Sequence, residues 1–200
     1  MSRVLPPVLP DVITHNYDPA RGALLNICDL AAADAEAILR DIAASGRRFV
    51  RQTYLAKRLA TERWLLAERT RKLGPPRLAH PIYFFLGDFG DGWDASRPES
   101  IRLPLAAFSP DMLTFTYPDS MASLPLAASE GRRPYHGEVF TLEEIRQVVA
   151  AFGCPDKHAP GADRFIEVQV WDERPLDGVR PARSVRGAAP PVAAGRSGIR

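Results

Sequence analysis

Cysteine is scarce in this chain of 200 residues: Cys28 and Cys154 are its only two and stand far apart, which excludes a CxxC motif and a disulfide framework. Reduced thiols and a cytoplasmic location are the expectation. Histidine is nearly as scarce. His15, His80, His136 and His158 never form HxH or HExxH, and Cys154 with His158 is a lone pair that cannot complete tetrahedral zinc, so no metal is expected. No apolar run approaches the roughly 18 residues of a membrane span, and the start Met-Ser-Arg-Val-Leu-Pro-Pro-Val-Leu-Pro lacks the apolar stretch of a signal peptide. No membrane partner is expected. Glycine cradles for phosphate are missing too: neither a P-loop nor G-x-G-x-x-G follows any predicted strand, which removes the kinase and Rossmann classes.

Net charge of one sign is also small, at +2, but it is unevenly placed: residues 174–200 hold six arginines against Asp177 alone, so residues 1–173 are net negative. Such a domain has no footprint for tight duplex binding, although its basic tail can touch a polyanion weakly. Hydrophobic residues make up 46% of the chain, enough for one core. Prolines 6, 7 and 10 favour an extended arm over residues 1–11, a single α+β domain is expected over 12–176, and a disordered basic tail over 177–200.

Within the domain, Val12–Tyr17 reads as a short strand. Asp29 is a fitting N-cap for a helix from about Leu30 to Ala44, with Leu30, Ala37, Ile38 and Ile42 inward and Gly46 after it. A longer helix is expected over Arg48–Leu73, from leucines spaced near 3.6 and the Gly74-Pro75-Pro76 stop. The run His80–Gly87 suits a buried strand, and residues 101–105 a strand whose Pro104 belongs at an edge. Leu113–Tyr117 alternates and enters a turn at Pro118–Met121, and Thr141-Leu-Glu-Glu144 is a capping box opening a helix that stops at Gly153. Helices first and strands mostly later imply N-terminal helices packed on a mostly antiparallel sheet.

The last strand, Arg164–Asp172, carries the most unusual pattern. Ile166, Val168 and Val170 make a core face, while Phe165, Glu167, Gln169 and Trp171 put a carboxylate and an amide between two rings. A partly desolvated, rigidly held Glu167 suits general-base work or stabilisation of a developing cation, and the rings suit a flat ligand. The plainer alternative is an edge strand with Glu167 and Gln169 solvated. Three further signals have ordinary explanations: Asp88, Asp91 and Asp94 as turn formers rather than cation ligands, Ser120 as turn chemistry rather than a nucleophile, and Arg58 with Glu62 as a surface pair one helical turn apart.

Four blocks carry a resemblance: Tyr83-Phe-Phe-Leu-Gly87, Leu113-Thr-Phe-Thr-Tyr-Pro-Asp-Ser-Met121, Pro134-Tyr-His-Gly-Glu-Val-Phe-Thr141 and Arg164-Phe-Ile-Glu-Val-Gln-Val-Trp171. Together they resemble a bacterial family of unassigned function, and the order of elements remotely resembles the DNA-targeting DarT-type ADP-ribosyltransferases. In that comparison Phe115-Thr116 and Asp119–Ala122 stand where the toxins have a Phe-Thr and a polar turn, and Glu167 stands near their catalytic glutamate. The resemblance implies an ADP-ribosyltransferase-like fold that uses NAD, with Glu167 catalytic and His15, Tyr83, Phe115 and Gln169 as cofactor-binding residues. His15 would hold the NAD ribose and Tyr83 would stack near nicotinamide. A nucleic-acid or protein substrate would be the partner.

Two other classes compete. One is a non-catalytic module whose Phe165 and Trp171 anchor a protein partner. The other is a magnesium-dependent phosphodiester enzyme built on Asp88, Asp91 and Asp94.

Overall fold

Runs of β-branched and aromatic residues bounded by turn formers give five strands, β1 (Val12–Tyr17), β2 (Ile82–Leu86), β3 (Glu99–Pro104), β4 (Leu113–Thr116) and β5 (Glu167–Val170). They form one antiparallel sheet in the order β3-β1-β2-β5-β4. This is a computed structural model that describes residues 8–46, 48–90, 93–158, 161 and 163–179. Most of the expected arm (1–7), most of the expected tail (180–200) and Asp91 lie outside the described residues.

Cross-strand register decides which side chains share a face. The rows Phe84–Val168–Phe115 and Ile82–Val170–Leu113, joined by Ile13 opposite Leu86, form the main core. Helix α4 (Leu142–Phe152) covers that face with Leu142, Ile145 and Val149, and its start is the expected capping box, with Thr141 Oγ1 accepting from Glu144 N and Glu144 returning the bond. Gly153 ends it at φ 85°, a left-handed conformation that suits glycine.

The opposite face carries the row Thr14–Phe85–Glu167–Thr116, followed along β5 by Gln169 and Trp171. Helix α2 (Tyr54–Leu73) lies on it, with Leu65 packed against Trp171 and Val139. The expected strand 164–172 is therefore central, and both of its faces are covered. Its carboxylate is neither solvated nor on an edge, whereas β3, with Pro104 at its end, does form an edge.

Three boundaries depart from expectation. Helix α1 (Ala32–Ala44) starts later than Leu30, because Asn26 caps a separate 3-10 turn, Ile27–Asp29, that takes up Asp29. Helix α2 starts at Tyr54 rather than Arg48, since Arg48 and Val50 instead turn toward a cavity. The expected turn at Pro118–Met121 is the start of α3 (Ser120–Ala127), where Asp119 Oδ1 accepts from Ala122 N at 3.0 Å. Among the described residues no helix is long and apolar enough to cross a membrane.

Candidate functional site

The inward stripe of α2 is largely polar: Arg58, Thr61, Glu62, Leu65 and Arg69 are its buried residues. Spacings of three and four place them on one side of the helix, which here docks by hydrogen bonds and charge as much as by apolar contact. Arg58 and Glu62 are therefore not the surface pair expected from their spacing. Arg58 Nε lies 3.2 Å from Glu62 Oε1, and its guanidinium sits over the Tyr83 ring at 3.8 Å. Although burial opposes its charge, Tyr83, Glu167 and Glu62 around it raise the Arg58 pKa and keep it protonated.

Glu167 is held in the same layer. Its Oε1 accepts from the amide of Ser120, at the positive end of α3, at 3.2 Å and from Gln169 Nε2 at 3.0 Å. Gln169 also donates to Thr116 Oγ1 and accepts from Thr114 Oγ1, which takes the Trp171 Nε1 bond at 2.7 Å. The result is a polar ladder along β4 and β5. Burial pushes the Glu167 carboxyl above the ordinary glutamate range, Arg58 opposes that rise, and Asp119 adds to it. Asp119 is itself raised, by burial first. Among the described residues the buried Ser120 hydroxyl has no hydrogen-bond partner, so no base is bonded to it.

A cavity of about 460 Å³ meets this layer at Tyr83, while Glu167 and Gln169 are not among its lining residues. Helix α1 forms one apolar wall with Ile38, Leu39 and Ile42, which explains why so little of that helix is fully buried. Tyr54 and Tyr83 add aromatic surface, and Arg48 and Arg97 add cations. Tyr83 is common to both regions: it borders the cavity, while its phenol lies under Arg58 and donates to Glu62 Oε1 at 2.7 Å.

The structure distributes the sequence-derived candidates unequally. Glu167, Gln169 and Tyr83 share one face of the sheet. His15 sits on the other face with Ile13 and borders the cavity, but both of its ring nitrogens are already used. Nδ1 contacts the Tyr83 carbonyl at 2.7 Å and Nε2 accepts from Leu24 N at 2.9 Å. Burial lowers its pKa to about 4, so the ring is neutral. No nitrogen is left for the ribose contact that the resemblance implies. Its bond instead steadies Leu24, a non-glycine residue at φ 59°. Phe115 is fully buried in the main core opposite Val168, on the face away from Glu167, and cannot reach a ligand beside that residue.

The competing classes lose specific supports. Trp171 is 1% exposed and bonded through its indole nitrogen, so it is no anchor for a partner, while Phe165 packs edge-on against Phe85 at 4.8 Å. Asp88 pairs with Arg102 at 2.9 Å, and Asp94 pairs with Arg97 at 2.7 Å and binds Ser96. These carboxylates face cations already present.

No protein-family model, no curated protein and no solved structure matches this chain. The site is therefore read from its own geometry. Sequence reasoning missed Arg58 as a buried neighbour of Glu167, although the stripe 58, 62, 65, 69 keeps helical spacing. It also missed Cys28 and His80 beside Glu62, which no local pattern connects.

Proposed function

We propose that this chain is an NAD-dependent ADP-ribosyltransferase-like enzyme with Glu167 as its essential carboxylate. The observation that supports it is a buried carboxylate, Glu167, held by Ser120 N and Gln169 on the sheet face that also carries Tyr83, which borders a cavity whose volume of about 460 Å³ falls in the usual range for small-molecule sites. The residues fit a dinucleotide in kind: apolar α1 side chains and Tyr54 for flat rings, Arg48 for phosphate oxygens, and Tyr83 on the cavity wall and on the same sheet face as the carboxylate.

NAD, when bound, supplies a glycosidic bond whose rupture leaves positive charge on the ribose. Glu167 would stabilise that charge, since a fixed carboxylate in a dry site acts strongly on a developing cation. Arg58 is a positioning residue: it offsets the cost of burying the carboxylate and favours its ionised form. The acceptor is a nucleophile on a nucleic acid or protein. His15 contributes ring surface and holds the Leu24 segment, in place of a ribose hydrogen bond.

Calorimetric titration with NAD tests the site. The wild-type chain should bind saturably, and Ile42→Trp, which fills the cavity from α1, should weaken binding by about 10-fold or more. Absence of saturable binding, or an unchanged affinity in Ile42→Trp, would refute the assignment.

A further inference from the structure

Cys28, Glu62 and His80 come from three separate segments, the 3-10 turn before α1, the middle of α2 and the approach to β2, yet their ligand atoms all lie within 4.8 Å of one another. The Glu62 side chain is 1% exposed, and its two oxygens are used very differently. Oε1 takes hydrogen bonds from Tyr83 and Asn26 and the ion pair with Arg58. Among the described residues Oε2 is buried with no hydrogen-bond partner, as is His80 Nδ1, 3.5 Å away. Two unpartnered buried polar atoms side by side are unusual, because each such group costs about 1–3 kcal/mol.

We propose that Cys28 Sγ, His80 Nδ1 and Glu62 Oε2 form a three-ligand site for zinc or a chemically similar divalent transition-metal ion. Thiolate, imidazole and carboxylate are a borderline-soft donor set of the kind zinc takes, and three protein ligands leave a fourth position for water or a ligand group. Of the three, His80 borders the cavity. Tetrahedral zinc with bonds of about 2.0–2.3 Å sets its donor atoms roughly 3.5 Å apart. The His80–Glu62 pair already has that spacing. Cys28 closes the remainder by a side-chain movement of about an ångström on its short turn. The bonds to Oε1 act as an outer shell that orients the carboxylate and aims Oε2 at the ion. Binding releases the thiol proton, because the ligand is the thiolate. The proposed site departs from the expectation, drawn from spacing alone, that the chain holds no metal, and it stands independently of glycosidic chemistry.

The rival explanation is a metal-free contact between His80 and Glu62, with Cys28 a bystander. Cobalt(II) titration of the chelator-treated full chain separates the two. The expected result is one equivalent bound, with thiolate-to-cobalt absorption that zinc bleaches and that Cys28→Ser abolishes. Cys28→Ser and His80→Gln should each weaken zinc binding by about 10-fold or more, while Cys154→Ser leaves it unchanged. Both positions are partly exposed, so the variants should fold, and the wild-type spectrum stands without them. No saturable binding, no thiolate band, or a band lost only in Cys154→Ser overturns the proposal.

Discussion

Acid should destabilise this protein through one buried imidazole. His15 accepts from Leu24 N and contacts the Tyr83 carbonyl, an arrangement that needs one protonated and one bare nitrogen and so excludes the imidazolium. Burial accordingly lowers its pKa from 6.5 to about 4. Between those values the unfolded chain binds a proton that the folded chain refuses, so stability rises with pH across the window and falls as acid is added. A shift of that size corresponds to at most about 3 kcal/mol, nearly all of it lost by pH 4. That is a large share of the 5–15 kcal/mol typical of a domain. The assay is urea unfolding at a series of pH values for the wild type and for His15→Gln, whose amide retains a donor and an acceptor but does not titrate. The wild type should lose about 3 kcal/mol more than the variant between pH 7 and pH 4. Parallel pH curves, or an NMR titration placing the ring near 6.5, would refute the arrangement.

Three further outcomes follow from the α2 layer. Glu167 titrates above the ordinary range, so the folded state holds its proton longer than the unfolded state does. Its contribution to stability therefore declines as pH rises through that raised value, and Glu167→Gln should remove this decline from the urea-derived curve; an unchanged slope contradicts the burial. Arg58→Met leaves the buried Glu62 without its ion-pair partner and should cost about 3–5 kcal/mol in equilibrium unfolding, whereas a cost below about 1 kcal/mol would mean the pair is screened by water. Trp171→Phe removes the indole bond to Thr114 and should cost about 1–3 kcal/mol by the same measurement, and a neutral result would show that the polar ladder is not holding β4 to β5.

Much of the architecture was legible because local chemistry and global packing agree. Thr141 and Glu144 announce α4 unambiguously, and alternation in β5 sends Ile166, Val168 and Val170 to the core as expected. The other face of β5 was harder. Apolar periodicity detects helices that dock through leucines, and α2 docks through Arg58, Glu62 and Arg69, so nothing in that pattern says which strand lies beneath it. Asp119-Ser120 illustrates a related ambiguity, since the same residues open turns and cap helices. The Cys28–Glu62–His80 grouping and the His15–Tyr83 bond join residues distant in the chain, and only the tertiary packing brings them together.

The proposed reaction requires Glu167 to act on the sugar of a dinucleotide bound next to Tyr83. The direct measurement is release of free nicotinamide from NAD by the wild type and by Glu167→Gln, with thermal unfolding of both recorded in parallel. Release by the wild type and a loss of about 100-fold or more in a variant that remains folded is the predicted result. Equal release by the two proteins, or none from a wild type incubated with nucleic-acid and protein acceptors, would contradict it.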